Sequence, residues 1–524
     1  MSTRPIPSRP SLEFDRKEAR ALLEAVRQGD AAAVQRFRIH HPRYVGSGEP
    51  LRAVALHDAQ LVIAREYGFP SWPRWKQFVD GCQLDRGARA AALARGACGG
   101  DMRLARALLA AEPALERFDL YTACACGAAD HVGRLLARDV ALAKQRGGPL
   151  DREPLLYACF SRFLRADARR AEGIVRVARL LLDHGADPNA HFTHDEGGEH
   201  WIQTALYGAA GIANRPDLTQ MLLAAGADVN ERQGDPGDDV RAGTFGLEAL
   251  YHASEFADTT CLRLLLEATP PLHPKRISYC LARMLDFENP GGVELHLRHG
   301  ADPNFRIPWM HGRTHLHRAI VYERSLDIVR RLVEAGGDPN AADDLGLTPF
   351  RSAVRQGRDD VAALLREAGA NDSDLTEDDR APDRVEPDRL CYAAGRNDAA
   401  TVARLLSIGA DPNAVGGLDD SPPLHWACWR GGLDAARLLV DAGADIHTVN
   451  RYGGDALDTT IHGSLNCHDV FGGVSMKLPD EVAHGDYPAI VELLIAAGAR
   501  LPRRAGGSDA VQDALRRAGV PDAE

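Results

Sequence analysis

Two stretches of this 524-residue chain gather side chains that could hold a metal or carry out nucleophilic chemistry. The run His191-Phe192-Thr193-His194-Asp195-Glu196-Gly197-Gly198-Glu199-His200 has three histidines and three acids in ten residues, a composition found in metal-binding tracts. It follows Asp187-Pro188-Asn189, a turn-forming triplet, where exposed polar residues are expected on any account, so it reads as a solvated loop. The segment between Thr459 and His484 supplies His462, Cys467, His468, Asp469 and His484, types that could ligate zinc or form a cysteine–histidine pair. A structural zinc site draws on short ligand spacings, and Cys467 has no second cysteine nearby. No glycine-rich phosphate loop, His-Glu-x-x-His helix or Gly-x-Ser-x-Gly elbow occurs. The expectation is no metal, no cofactor and no catalytic residue. A small-molecule, metal or enzymatic site around residues 459–484 is the alternative.

The elements that would position such residues follow one pattern, clearest in PPLHWACWRGGLDAARLLVDAGADIHTVNRYGG, Pro422 to Gly454. Pro423 can open a helix, because the N–H it lacks would be unpaired there anyway. Leu424, Ala427 and Cys428 give that helix a narrow apolar side, and Gly431-Gly432 end it. A second helix carries Ala435, Leu438, Leu439 and Ala442, an i, i+3, i+4, i+7 stripe. Gly443 then supplies the left-handed residue that commonly follows a helix. That glycine recurs as Gly185, Gly226, Gly300, Gly336, Gly369, Gly409 and Gly498. Asp-Pro-Asn follows closely at Asp187, Asp302, Asp338 and Asp411. A Thr-x-Leu-x-x-Ala type of signature opens first helices at Thr204, Thr314 and Thr348. Leu316 to Phe350 and Leu390 to Leu424 are each 34 residues.

This grammar resembles that of ankyrin repeats, whose period is roughly 33 residues. The resemblance implies an all-α ankyrin-repeat solenoid of stacked helix–turn–helix units with short β-hairpin-like turns, about eleven of them. It also implies a surface lined by the turn tips and the exposed ends of the first helices, on the concave side of the stack. At those positions stand Phe160, Phe256, Tyr322, Arg355, Trp429 and Arg430, types enriched as interface anchors. Turn tips add Trp309 and Tyr452, with Trp201, Met310 and Arg451. Tyr392 and Trp426 fall at an inward-facing position and read as core. The function expected is a non-catalytic protein–protein interaction scaffold, its partner another protein. A host-directed effector is a further alternative, which nothing in the first twenty residues supports.

Composition narrows the classes. A formal net charge of −12 argues against nucleic acid, because phosphate binding draws on clustered Lys and Arg. No run approaches 18 consecutive apolar residues, so no membrane span is expected. The first ten residues lack an apolar stretch for export. Ten cysteines, mostly inside helix patterns, read as small buried hydrophobes with free thiols in a reducing cytoplasm. Abundant Ala and Arg suggest a bacterial, GC-rich coding bias, and a cytoplasmic monomer is expected.

The chain should then divide into a disordered leader (1–12), a helical cap (13–82) with an aromatic plug at Trp72, Trp75, Phe78 and Val79, an array (83–505), and a closing helix and tail (506–524). Two insertions interrupt the array, at 372–388 and 459–485. Phe350 to Leu390 is 40 residues, and residues 372–388 hold eight acids against two arginines. An excess this short predicts a protruding loop on an unbroken stack.

Overall fold

The structure is a computed structural model and describes every residue except 1–3, 8–9, 42–43, 45–50, 52–53, 70, 84, 100–101, 197–198, 232–247, 308–309, 357, 377–378, 380–386, 417–420, 451, 467–484 and 522–524. Its regular elements are helices apart from one two-stranded hairpin among the described residues, and the chain divides into two compact units, Met1–Ala186 and Asp187–Glu524. The division falls within the 83–505 span expected as a single array.

In the first unit, Ser11 and Asp30 cap the helices Leu12–Arg27 and Ala31–His40 by accepting from Phe14 N and Ala33 N. The first of these begins inside the expected leader. Arg4 is also anchored there, paired with Glu18 at 2.8 Å and lying 4.5 Å from the Tyr67 ring centre. Gly68, left-handed at φ +86°, follows the helix Leu56–Glu66, and Trp72–Gln83 comes next. Trp75, Phe78 and Val79 are fully buried, and the Tyr67 ring stacks on Trp75 at 4.2 Å. Inside this cluster Asp15 accepts from Trp75 Nε1 at 2.9 Å and from Tyr67 Oη at 3.2 Å. Three helix pairs complete the unit: Arg86–Ala97 with Met102–Ala111, Leu120–Cys126 with Ala129–Leu136, and Pro154–Cys159 with Ala168–Asp183.

The second unit opens with an antiparallel hairpin, His191–Glu196 and Glu199–Thr204, pairing His191 with Thr204 through Glu196 with Glu199. The histidine-rich run is thus a β-ribbon rather than a loop. The side chains of residues 194–201 lie outside the description. Helix pairs follow: Ala205–Tyr207 with Pro216–Ala224, Glu248–Ala253 with Thr260–Leu266, and Pro274–Met284 with Pro290–Arg298. Next come His315–Val321 with Leu326–Glu334, Pro349–Arg355 with Asp359–Glu367, and Pro387–Gly395 with Ala399–Ser407. Pro423–Arg430 with Leu433–Asp441 and Ala456–Asn466 with Tyr487–Ala496 precede a closing helix, Asp509–Arg517.

The Asp-Pro-Asn triplets staple neighbouring units. Asp302 accepts from Asn304 N, fixing the turn, and the Asn304 amide then reaches the next unit. Its Nδ2 donates to Gly336 O and its Oδ1 accepts from Asp338 N, both at 2.8 Å. Asn340 repeats this with Gly369 O and Asn371 N, Asn413 with Gly443 O and Asp445 N, and Asn189 with Gly226 O and Asp228 N. In the unit after that of Asn340, Ser373 holds the asparagine's place, and its hydroxyl donates to Asn371 Oδ1.

Two expectations need correction. In the Leu433–Asp441 helix the buried residues are Ala435, Ala436 and Leu439, while Leu438 is half-buried and Ala442 is exposed. That helix packs on its own first helix and on the second helices of both neighbours, so its buried arc takes in adjacent residues. The stack is also not uniform through residues 372–388. Elsewhere in this unit successive first helices pack on each other, as do successive second helices. Among the described residues, Pro349–Glu367 and Pro387–Ser407 share no such close packing. Within the acidic segment Asp379 is buried against Arg351 and Arg355, while residues 377–378 and 380–386 lie outside the described residues.

Candidate functional site

Each first helix of the second unit carries a buried marker residue: Leu206, Leu250, Ile277, Leu316, Phe350, Leu390, Leu424 or Leu457, and five of these, Ile277 to Leu424, are successive. Positions two and six residues further lie on one helical face. Among these five they hold Tyr279 and Arg283, Arg318 and Tyr322, Tyr392 and Arg396, and Trp426 and Arg430, an aromatic and an arginine four apart each time. The Phe350 unit has the small or polar Ser352 and Gln356 there, leaving room for neighbours on either side to meet.

They do meet. The Tyr322 and Tyr392 ring centres are 6.2 Å apart, and Tyr392 meets Trp426 edge-on at 5.6 Å. Arg318 lies 4.8 Å from the Tyr322 ring centre and Arg430 lies 6.0 Å from that of Trp426, both within cation–π range. Carboxylates balance the arginines: Arg283 pairs with Glu255 at 2.8 Å and Asp286 at 2.7 Å, Arg318 with Asp286, and Arg396 with Glu323. Burial beneath this layer pushes the Tyr251 phenol up to about 12. The rings of Tyr322, Tyr392 and Trp426 thus form a ladder across three first helices, with guanidinium groups beside it.

The predicted anchors are distributed differently. Phe160 and Phe256, only 4% and 5% exposed, are core residues rather than surface anchors. First helices made of small residues pack closely enough to cover a ring at their ends. Tyr322, Arg355, Trp429 and Arg430 are half-buried. Trp429 does not join the ladder: it stacks on exposed His462 at 5.5 Å, and its carbonyl accepts from Tyr487 Oη at 3.0 Å. Gly463 passes so close that a Cβ there would lie 2.4 Å from Trp429 O. Met310 is buried, and Trp309 and Arg451 lie outside the described residues. Tyr392 and Trp426, read as core, are buried but belong to the ladder with Tyr322. The aromatic–arginine spacing of four was the available signal.

Two of the most exposed large hydrophobic side chains stand at turn tips that hydrogen bonds fix. Leu345 is 73% exposed and Tyr452 is 72% exposed. Each stands five residues before its unit's marker, Phe350 or Leu457. Two residues earlier, Asp343 Oδ1 accepts from Leu345 N and Leu347 N at 2.9 and 2.8 Å, while Arg313 holds its other oxygen. Asn450 Oδ1 does the same for Tyr452 N and Gly454 N, at 2.9 and 3.2 Å. Sequence alone singled out Tyr452 and missed Leu345.

Residues 467–484, with Cys467, His468, Asp469 and His484, lie outside the described residues. Among the described residues no group of three or more His, Cys, Asp or Glu is placed to hold a metal, and no helix is long and apolar enough to cross a membrane.

Repeated helix pairs, a turn-to-turn asparagine ladder and side chains displayed at equivalent positions define a helical repeat scaffold. Residues 281–377 match the family model for ankyrin repeats in three copies, and residues 419–451 match that for a single ankyrin repeat, so those two stretches are built of ankyrin repeats. The chain is 36% identical over 136 residues to neurogenic locus notch homolog protein 1 of Danio rerio, covering 26% of this chain and 5% of that protein. It is 37% identical over 134 residues to the Homo sapiens counterpart, with the same coverage, and 35% over 136 residues to Homo sapiens neurogenic locus notch homolog protein 2. The chain thus spans about 5% of the length of the curated relatives it matches. These are vertebrate proteins and lend no support to the bacterial source suggested by composition.

Proposed function

We propose that this protein is a binding scaffold for another protein, engaged through its turn tips and the exposed ends of its first helices. One observation carries the reading: Leu345 and Tyr452 are exposed at equivalent positions of two units, on turns that Asp343 and Asn450 hold rigid. A large apolar side chain held out on a pre-formed turn loses little freedom on binding, as an interface anchor requires. Tyr322, Arg355, Trp429 and Arg430, partly accessible at the helix ends, extend the same surface. The test is affinity capture of interacting proteins by the full chain and by a Leu345→Ala/Tyr452→Ala variant. A partner held by the wild-type chain and lost by the equally stable variant supports the reading. A partner retained by the variant excludes the tips.

A further inference from the structure

Arg351 and Arg355 stand four residues apart on one face of the Pro349–Arg355 helix, one and five positions beyond the marker Phe350. No other unit of Asp187–Glu524 has two arginines at those positions; the equivalents are Tyr207 and Gly211, Tyr251 and Glu255, Ser278 and Ala282, His317 and Val321, Cys391 and Gly395, His425 and Trp429, and Asp458 and His462. Two guanidinium groups so placed repel each other unless an anion lies between them. Here that anion is Asp379. Arg351 Nε and Nη2 each reach its carboxylate at 3.2 Å, and Arg355 Nε donates to Oδ1 at 2.5 Å. Thr376 adds its backbone N–H at 2.8 Å and its hydroxyl at 2.9 Å, both to Oδ2. The Asp379 side chain is fully buried, although it comes from the most acidic run of the chain. Both arginines keep about a fifth of their side-chain surface open, at 21% and 19%. Among the described residues no helix of the following unit packs closely on the Pro349–Glu367 pair, and the carboxylate on the two arginines comes from Asp379, outside the helix pairs.

We propose that the Arg351–Arg355 pair is a docking site for an acidic peptide, occupied in the isolated chain by its own Asp379. A partner enters by placing a carboxylate where Asp379 sits, using the paired-arginine geometry that favours planar anions. Asp379 is then an internal competitor that sets a threshold for binding. This deepens the scaffold reading by naming the chemistry of one partner element, and it rests on that reading.

The probe is a fluorescently labelled synthetic peptide of residues 372–388, titrated against the full-length protein and read by anisotropy. A tethered ligand acts at about millimolar effective concentration, so wild type should bind the peptide weakly. Asp379→Asn, which keeps the side chain's shape, should bind it at least about tenfold more tightly. Adding Arg355→Ala to that variant should abolish the gain, and a peptide with D379N should not bind. Equal affinity of wild type and Asp379→Asn overturns the proposal, as does a gain that survives Arg355→Ala. Loss of amide protection in the Asp359–Glu367 helix of Asp379→Asn also overturns it, because the pair is then part of the fold. Because the probe is the chain's own segment, failure here leaves the turn-tip reading standing.

Discussion

His317 is held neutral by what surrounds its two ring nitrogens. Nε2 faces Leu347 O at 2.9 Å and so carries the proton, while Nδ1 accepts from Thr314 N at 3.1 Å. Protonating Nδ1 would set one donor against another. Burial lowers the pKa of His317, and takes His296 to about 4 and His315 to about 3. These groups bind protons more readily unfolded than folded, so their contribution is intact above about pH 6.5 and declines as pH falls below it. The slope is about 1.4 kcal/mol per pH unit for each histidine. Asp379 acts lower: the donors around it depress its pKa, so its contribution holds above about pH 4 and is lost only below that. Urea midpoints at pH 7.5, 6 and 5 should fall steadily, and a His317→Gln variant should show a shallower fall. The cysteines give a second residue-scale expectation. Eight of the ten are buried and free, and burial pushes the thiols of Cys98 and Cys428 up to about 12 and Cys261 to about 11. Native protein should therefore expose at most two rapidly reacting thiols to a disulfide reagent, and all ten in denaturant. The cysteine environment was legible because these residues fall at small apolar positions of the helix pattern. The histidine roles were not, since a ring that closes a turn and one that faces solvent look alike in sequence.

At the level of elements, the repeat grammar was legible because each part has a local cause. Proline opens helices, a left-handed glycine closes them, and Asp-Pro-Asn makes a turn. The inter-unit bonds of the asparagine were hidden, because they join residues some thirty positions apart. Asn304→Ala should remove the bonds to Gly336 O and Asp338 N. These bonds are exposed, so the expected cost is about 1 kcal/mol, measurable as a shift in urea midpoint without a change in slope. Burial of the anchor candidates Phe160 and Phe256 was hidden for a related reason. Equivalent positions were compared for their own residue types, whereas the pairing that matters is within a helix, an aromatic four residues from an arginine. Trp426→Ala should therefore act on stability, by roughly 3–5 kcal/mol for a buried ring. Tyr452→Ala, at an exposed tip, should change stability by less than about 0.5 kcal/mol. Thermal melts of the two variants separate the classes.

For the molecule as a whole, stability should travel along the chain in steps set by which units touch. Repeat stacks behave approximately as nearest-neighbour systems, so damage spreads to adjoining units and stops where contact is weak. The buried core of the C-terminal units runs from Leu390 through Leu424 and Leu457 to Leu515, and it reaches back to Val321, Ile307 and Met310. The rings of Tyr322 and Tyr392 and the Glu323–Arg396 pair make that link across the Phe350 unit. Pro349–Glu367 does not pack closely on Pro387–Ser407, so it sits beside this route and not on it. The forty-residue interval between Phe350 and Leu390 marked the place in the sequence. It did not distinguish a loop on a continuous stack from a weak joint bridged by two tyrosines, because the bridge depends on packing. Leu424→Ala, at a 1% exposed position, should cost roughly 2–5 kcal/mol. In hydrogen exchange it should deprotect the Pro387–Gly395, Leu433–Asp441 and Tyr487–Ala496 helices together, while Asp359–Glu367, nearer in sequence than Tyr487–Ala496, keeps its protection. If protection instead falls evenly through Asp359–Glu367, the joint transmits as well as any other and the stack is continuous after all. Adding Tyr392→Ala to Leu424→Ala should confine the loss further, sparing His315–Val321, because the two rings are then no longer in contact.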